Sequence, residues 1–172
     1  IAHLTDSKIA YLHFVNMDQE SIDLGVWNQA TFKAAEKGIQ LRFEIGNDIP
    51  LSLVGDSRRL DQIITNLMDN AVKFTPDGGK VGLIVKGEMN ADLVHFTVWD
   101  TGFGIEEEDV GKLFAPFVQV NETVAHIYGG TGLGLSIVKH VVLLHKGEIS
   151  VDSSPEQGTI FTIRLPLNSA KS

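Results

Sequence analysis

The stretch from residue 57 to residue 74 has the most regular apolar pattern in the chain, and it restricts the folds that the sequence can adopt. Apolar side chains recur there at intervals of three and four residues: Leu60, Ile63, Ile64, Leu67, Met68 and Ala71. This spacing predicts an amphipathic helix that buries one face, with Asp56 or Ser57 as its N-cap. Such a helix needs a sheet or other helices against its apolar face.

Strand patterns on both sides of this helix supply the sheet. Five segments alternate apolar and polar side chains or pair as hairpins: 41–45, 80–86, 93–100, 148–152 and 159–165. Three other segments are predicted to be helical: 24–36, 106–109 and 131–145. Neighbouring strands that pair directly, with helices between other strands, predict an α+β two-layer sandwich rather than a doubly wound parallel sheet.

The composition excludes several classes of function. Lys and Arg number 14 against 22 Asp and Glu, and the net charge of −8 argues against general binding to nucleic acid. The chain has no cysteine, which excludes disulfides, thiolate metal sites and a cysteine nucleophile. No apolar run reaches the roughly 20 residues of a membrane span, and the first residues do not resemble a signal peptide. We therefore expect a soluble piece without direct membrane contact.

The polar face of the long helix carries two asparagines and a lysine. Asn66, Asn70 and Lys73 are spaced four and three residues apart, so they share the side opposite the apolar stripe. Each Asn in a helix interior costs up to about 0.7 kcal/mol relative to Ala. An amide oxygen is a suitable ligand for Mg²⁺, and a lysine ammonium attracts phosphate. The face is therefore either a cation and phosphate site or a solvated surface.

Two glycine-rich segments add polar groups. The segment DTGFG at 100–104 directly follows a predicted strand, and its Asp100 carboxylate can accept a hydrogen bond from an amine, unless the segment is an ordinary turn. The segment GGTGLG at 129–134 leads into a helix, where backbone amides favour a phosphate, unless it is only a mobile loop. It is neither a P-loop nor a dinucleotide fingerprint, because no Gly-Lys pair ends it and no strand precedes it.

The combination of these segments resembles sensor histidine kinases. NLMDNAVKFTP at 66–76 is similar to their N box, and DTGFG at 100–104 to their first glycine box. LFAPF at 113–117 resembles the F box, which we expect to anchor the base of the loop, and GGTGLGLS at 129–136 resembles the second glycine box. The four stand in the family's order, within residues 24–167. The resemblance implies the Bergerat fold of the GHKL superfamily, a mixed sheet of about five strands covered on one face by three helices, with ATP and Mg²⁺ as cofactors.

The resemblance implies a role for each matching residue of the N box. Asn70 would bind Mg²⁺, and Asn66 would lie beside it near the metal and the phosphates. Lys73 would contact phosphate, and Phe74 would line the nucleotide pocket. Asn66, Asn70 and Lys73 are thus the candidate catalytic residues.

The two glycine boxes would complete the pocket. Asp100 would accept a hydrogen bond from the adenine amino group, and Ile105 would lie against the base. Gly102 and Gly104 would shape the pocket. The second glycine box would meet the phosphates through its backbone amides and cover the nucleotide, with these residues: Gly130, Thr131, Gly132, Leu133 and Gly134. Residues 119–128 would form the ATP lid.

The first residues also resemble the family, and they suggest the organisation of the chain. LTDSKI at 4–9 is similar to the end of the second helix of the dimerisation and phosphotransfer domain. We assign 1–23 to the tail of that domain and a linker, 24–168 to the ATP-binding catalytic domain, and 169–172 to a disordered tail. The implied partners are that helical domain and the receiver domain of a response regulator. We expect the fragment to be monomeric and cytoplasmic, whether or not its parent is anchored in a membrane.

Position 66 distinguishes a kinase from a hydrolase. Related ATPases of the gyrase, MutL and heat-shock chaperone type resemble one another in a Glu four residues before the metal-binding Asn, where this chain has Asn66. A neutral amide cannot act as a general base near pH 7, so phosphoryl transfer needs another nucleophile. In histidine kinases that nucleophile is a histidine of the helical domain. None of the chain's six histidines lies in a sequence like the family's phosphoacceptor box, so we expect little or no autophosphorylation by this fragment alone.

Two departures from the family pattern leave alternatives open. Ala115 stands where the F box often has Glu, and no Lys or Arg occurs between Lys112 and Lys139, where many relatives have a basic lid residue. His126 is the only ionisable base in that loop, so the lid would hold the γ-phosphate weakly or through a protonated His126. The alternatives to an active kinase are a nucleotide-binding regulatory module of a degenerate kinase and a serine kinase of the anti-sigma-factor type, which would favour Glu at position 66.

Overall fold

The computed structural model describes residues 26–46, 57–88, 90–120 and 131–166. The helices in these ranges are α1 (Val26–Glu36), α2 (Ser57–Phe74), α3 (Glu107–Val110) and α4 (Gly134–Leu144). The strands are β1 (Gln40–Ile45), β2 (Lys80–Glu88), β3 (Leu93–Asp100), β4 (Glu148–Ser154) and β5 (Gly158–Pro166). None of the helices described is long and apolar enough to cross a bilayer.

The described strands form one mixed sheet in the order β1-β2-β3-β5-β4. β1 runs parallel to β2, with Leu41 opposite Val81, and the other neighbouring strands are antiparallel. A parallel pair requires a long crossover connection, and α2 lies in the connection between β1 and β2. This mixed sheet with its layer of helices confirms the α+β two-layer sandwich that the sequence predicts.

The helices cover one face of the sheet and bury the apolar stripe of α2. The whole stripe is at most 7% exposed, and Met68 at its centre is 0% exposed. The inward-facing side chains of the two central strands complete this core: Val81, Leu83, Val85, Val94, Phe96 and Val98. Because the stripe fixes how α2 is rotated, the asparagines and the lysine on its other side remain only half-buried.

Several element boundaries differ from those that the sequence predicts, and the largest difference is at the start of α4. α4 begins at Gly134 rather than at residue 131, because Gly132 has a φ of 69°, which no right-handed helix contains. β2 and β5 run further than predicted, to Glu88 and Pro166, because both pair with Leu93 of β3. The predicted turn at 47–50, the candidate N-cap Asp56 and residues 24–25 lie outside the described residues.

Candidate functional site

The polar side of α2 meets the start of α4 at Asn66. The side-chain oxygen of Asn66 lies 3.5 Å from the point at which a Cβ on Gly134 would stand. Asn70 and Lys73 follow on the same side of α2, and all three side chains are half-buried. Two motifs that are far apart in the sequence are therefore adjacent in the fold, as the resemblance implies.

The first turn of α4 presents backbone amides at this junction. Leu133 occupies the N-cap position and has no polar side-chain atom with which to cap the helix. The first N–H groups of a helix have no intrahelical acceptor and carry partial positive charge. Thr131 is exposed, and its hydroxyl accepts a hydrogen bond from the N–H of Leu133 at 3.4 Å. Gly130 and the predicted lid residues 121–128, with His126 among them, lie outside the described residues.

The aromatic residues of segment 113–117 fix the base of the loop that precedes α4. Phe114 packs edge-on against Phe161 of the core, with ring centroids 6.5 Å apart, and the ammonium of Lys139 lies 5.3 Å from the Phe114 ring. Phe117 is 75% exposed, and its N–H donates to the carbonyl of Gly132 at 3.0 Å. Phe114 is therefore the core anchor that the sequence predicts, while Phe117 joins the two ends of the loop through its backbone.

Lys73 and Phe74 end α2 as a stacked pair. The Lys73 ammonium lies 4.9 Å from the centroid of the Phe74 ring, which is within cation–π range. Burial lowers the pKa of the Lys73 ammonium, and the nearby charge of Lys33 lowers it further. This end of the helix therefore presents a cation beside a half-buried aromatic ring.

The segment after β3 is held tightly against this end of α2. The N–H of Phe103 donates to the carbonyl oxygen of Phe74 at 3.3 Å. A Cβ on Gly102 would overlap with that same oxygen, and a Cβ on Gly104, which has a φ of 70°, would overlap with the carbonyl of Ser154. The two glycines are thus required by the chain's own packing, in addition to any ligand that they admit.

Asp100 is the buried charged group of the site. It ends β3 at 8% exposure, and its Oδ1 accepts a hydrogen bond from the N–H of Gly102 at 2.8 Å. Burial raises the pKa of the Asp100 carboxyl to about 6, while hydrogen bonds from the backbone of Gly102 and Thr159 act in the opposite direction. Nothing in the sequence marks Thr159 for this part, because a backbone donor has no side-chain signature. Ile105, two residues beyond Phe103, packs against the core.

These groups suit a ligand with a polar heterocycle at one end and phosphates at the other. Asp100 can accept hydrogen bonds from an amine, whereas Lys73 and the first turn of α4 attract anions. The amide oxygens of Asn66 and Asn70 are hard ligands of the kind Mg²⁺ takes, and this ion commonly binds through one or two protein groups and a substrate's phosphates. Among the described residues, no group of three or more His, Cys, Asp or Glu could hold a metal ion by itself. The donor set therefore fits a cation that is shared with a phosphate ligand.

A shallow depression of about 280 Å³ lies on the face of the sheet that the helices do not cover. The residues that line it are Ile84, Lys86, Gly87, Glu88, His95 and Thr97. His95 Nε2 lies 2.8 Å from Glu88 Oε2 in this depression. Since side chains alternate along a strand, the side chains of this set other than Gly87 point away from the helical layer and from Asp100.

Comparison with known proteins points to one family. The profile described as "Histidine kinase-, DNA gyrase B-, and HSP90-like ATPase" matches residues 55–169. The sensor histidine kinase RcsC of Escherichia coli (strain K12) is 45% identical over 124 residues, which cover 72% of this chain and 13% of RcsC. The chain thus spans a small part of the length of this relative.

Solved structures agree in fold. Full-length ShkA in complex with AMPPNP superimposes with a TM-score of 0.70 at 32% identity, over 83% of this chain and 29% of that protein. The histidine kinase ThkA in complex with the response regulator protein TrrA gives a TM-score of 0.67 at 27% identity, over 86% of this chain and 40% of ThkA. The catalytic domain of the histidine kinase ThkA gives a TM-score of 0.69 at 28% identity, over 86% of this chain and 91% of that domain.

Replacing Gly102 by Ala tests how closely the segment after β3 is packed against α2. The new methyl group would overlap with the backbone oxygen of Phe74, and overpacking of this kind costs about 1–3 kcal/mol of unfolding free energy. Gly111→Ala is the matched control, because that position has a φ of −64° and open space around it. We expect the control to keep the free energy of unfolding or to raise it by up to about 1 kcal/mol. Equal stability of the two variants in urea would contradict this packing.

Proposed function

Because the chain belongs to the family of histidine kinase-, DNA gyrase B- and HSP90-like ATPases, we propose that it binds Mg-ATP and transfers the γ-phosphate to a histidine on a separate helical domain. The observation that carries the proposal is the convergence of the N box with both glycine boxes. Asn66 lies against Gly134, and the carbonyl of Phe74 accepts a hydrogen bond from Phe103. These contacts bring three segments together, and we infer that they line one nucleotide cleft in which Asp100 supplies a carboxylate and Lys73 a cation.

Asp100 would select adenine. Its carboxylate, buried at the end of β3, would accept a hydrogen bond from the adenine amino group. Gly102 and Gly104 keep the surrounding backbone close, and Ile105 would lie against the base. A buried carboxylate left without this partner is costly, so a nucleotide whose base carries no amino group in that place would bind more weakly.

The phosphates would lie between the end of α2 and the start of α4. Lys73 and the first N–H groups of α4 would hold them, since the net charge of −8 leaves no long-range attraction for an anion. Bound Mg²⁺ would neutralise charge on the β- and γ-phosphates, with the side-chain oxygen of Asn70 as its protein ligand and Asn66 beside it. Gly130, Thr131, Gly132 and Leu133 would enclose the triphosphate.

The nucleophile would come from another domain. Asn66 cannot accept a proton from water, so hydrolysis lacks its base. Of the described histidines, His95 pairs with Glu88 on the other face of the sheet, and His145 is hydrogen-bonded to the carbonyl of Val141. An incoming imidazole nitrogen would form a bond to the γ-phosphorus while the bond to the β–γ bridging oxygen breaks and ADP leaves. This domain would contribute positioning and charge neutralisation.

The proposal extends to the place of this chain in a signalling relay. Its relatives are sensor histidine kinases, and ThkA is solved with a response regulator protein. We assign 24–168 to the catalytic domain of a cytoplasmic relay that passes phosphate to a receiver domain, with 1–23 as the junction to the helical domain and 169–172 as a tail. Of this relay, the Mg-ATP site is the part that can be tested with the isolated chain.

Calorimetric titration with ATP tests the site. The wild type is expected to bind ATP, with higher affinity when Mg²⁺ is present, and Asp100→Asn is expected to lose detectable binding because an amide no longer offers a carboxylate to the adenine amino group. Asp152→Asn is the matched control, since Asp152 is exposed on β4. Loss of affinity in both variants, or none in either, would refute the assignment of Asp100. Absence of any saturable heat with ATP or ADP would mean that the pocket is degenerate or is incomplete without the helical domain, and it would refute nucleotide binding by this chain alone.

Affinity for ATP should also depend on pH through Asp100. The free carboxyl has a pKa raised to about 6, and the adenine contact requires the ionised form, so binding lowers this pKa and releases a proton. The contribution is complete above pH 7 and is lost as the pH falls through 6, by roughly tenfold in affinity at pH 5. Titrations at saturating Mg²⁺, repeated at several pH values and in buffers of different ionisation enthalpy, measure the change in affinity and the number of protons released. An affinity that stays constant from pH 5 to pH 7 would contradict the role of Asp100.

A further inference from the structure

The C-terminal end of α2 is held by groups from separate parts of the chain. The last four carbonyls of a helix have no donor within the helix. The hydroxyl of Thr75 donates to the carbonyl oxygen of Ala71 at 2.6 Å. At the other end of this turn, the carbonyl of Phe74 accepts from the N–H of Phe103. Of the last four carbonyls of α2, those of Val72 and Lys73 lie between these two.

Lys37 supplies the donor for both of those carbonyls. Its ammonium lies 2.9 Å from the oxygen of Val72 and 3.2 Å from the oxygen of Lys73. Its own carbonyl accepts from the N–H of Gly78 at 2.9 Å, beyond the end of α2. One residue of the connection between α1 and β1 is therefore hydrogen-bonded both to the last turn of α2 and to the turn that follows it.

The charge of Lys37 suits this place. The carbonyl end of a helix carries partial negative charge, which a cation stabilises. Lys37 is half-buried, and burial lowers the pKa of its ammonium, while the Asp77 carboxylate acts in the opposite direction. An ammonium that is partly shielded from water makes stronger hydrogen bonds to these carbonyls than an exposed one would.

We propose that Lys37 is a positioning residue for the nucleotide site, acting through the last turn of α2 rather than on the nucleotide. The inference rests on the proposed function. Helix ends fray when their last carbonyls lose their donors. Here the last turn includes Lys73, whose side chain is assigned to the phosphates, and Phe74, whose carbonyl holds Phe103 and with it the segment after Asp100. Freeing the turn would loosen the proposed phosphate contact and the proposed adenine contact at once.

Titration of Mg-ATP into Lys37 variants tests the proposal. Lys37→Met keeps the aliphatic stem and removes the ammonium, and we expect the Kd to rise roughly tenfold. Lys37→Arg, which restores a cationic donor, should recover most of the affinity. Lys86→Met is the matched control, because Lys86 is an exposed lysine on the other face of the sheet, and it should bind as the wild type does. If Lys37→Met does not fold, Lys37→Gln, which keeps a neutral donor, replaces it with an intermediate Kd expected.

A double-mutant cycle separates positioning from general stability. If Lys37 acts by holding Lys73 in place, its substitution should cost less affinity in a Lys73→Met background than in the wild type. Additive losses, or a Lys37→Met variant that binds ATP as the wild type does, would overturn the proposal and leave the proposed function standing. Absence of ATP binding by the wild type would overturn both.

Discussion

The last turn of α2 has four backbone carbonyls that the helix itself cannot satisfy, and the site depends on how they are satisfied. Their donors come from the residue that follows the helix, from the connection between α1 and β1, and from the segment after β3. Phe74 accepts from Phe103, and Lys37 reaches the two carbonyls before it. A requirement of helix chemistry thus brings a cation, an aromatic ring and the segment that follows Asp100 into one place.

The site combines one buried carboxylate with groups that carry positive charge. Asp100 is a buried carboxylate beside the last turn of α2, whereas Lys73 in that turn and the backbone amides at the start of α4 are positive. In a chain with a net charge of −8, an anion is held by such local groups and not by the overall field. A ligand whose base donates a hydrogen bond and whose tail is anionic matches both kinds of group, which supports the proposed adenine nucleotide.

The sequence predicted the helices and strands better than the contacts between them. The stripe of α2 and the strand patterns follow from simple periodicity, and the structure confirms them. That the N box and the second glycine box would both lie near the phosphates followed only from the resemblance, and the contact between Asn66 and Gly134 comes from the structure, because no local pattern reports a contact between residues so far apart. The predicted start of α4 was wrong by three residues, since the positive φ of Gly132 depends on the loop around it. The contacts of Lys37 could not be predicted from the sequence, because its carbonyl partners belong to another element.

The fate of the γ-phosphate tests the account most directly. ATP labelled at that phosphate would be incubated with Mg²⁺ and the purified domain, alone and with the histidine-bearing helical domain of a sensor histidine kinase. The account predicts that ATP stays intact with the domain alone, because Asn66 activates no water, and that label then appears on the helical domain in an acid-labile, alkali-stable form. Rapid release of inorganic phosphate by the domain alone would contradict it and would make the chain a hydrolase.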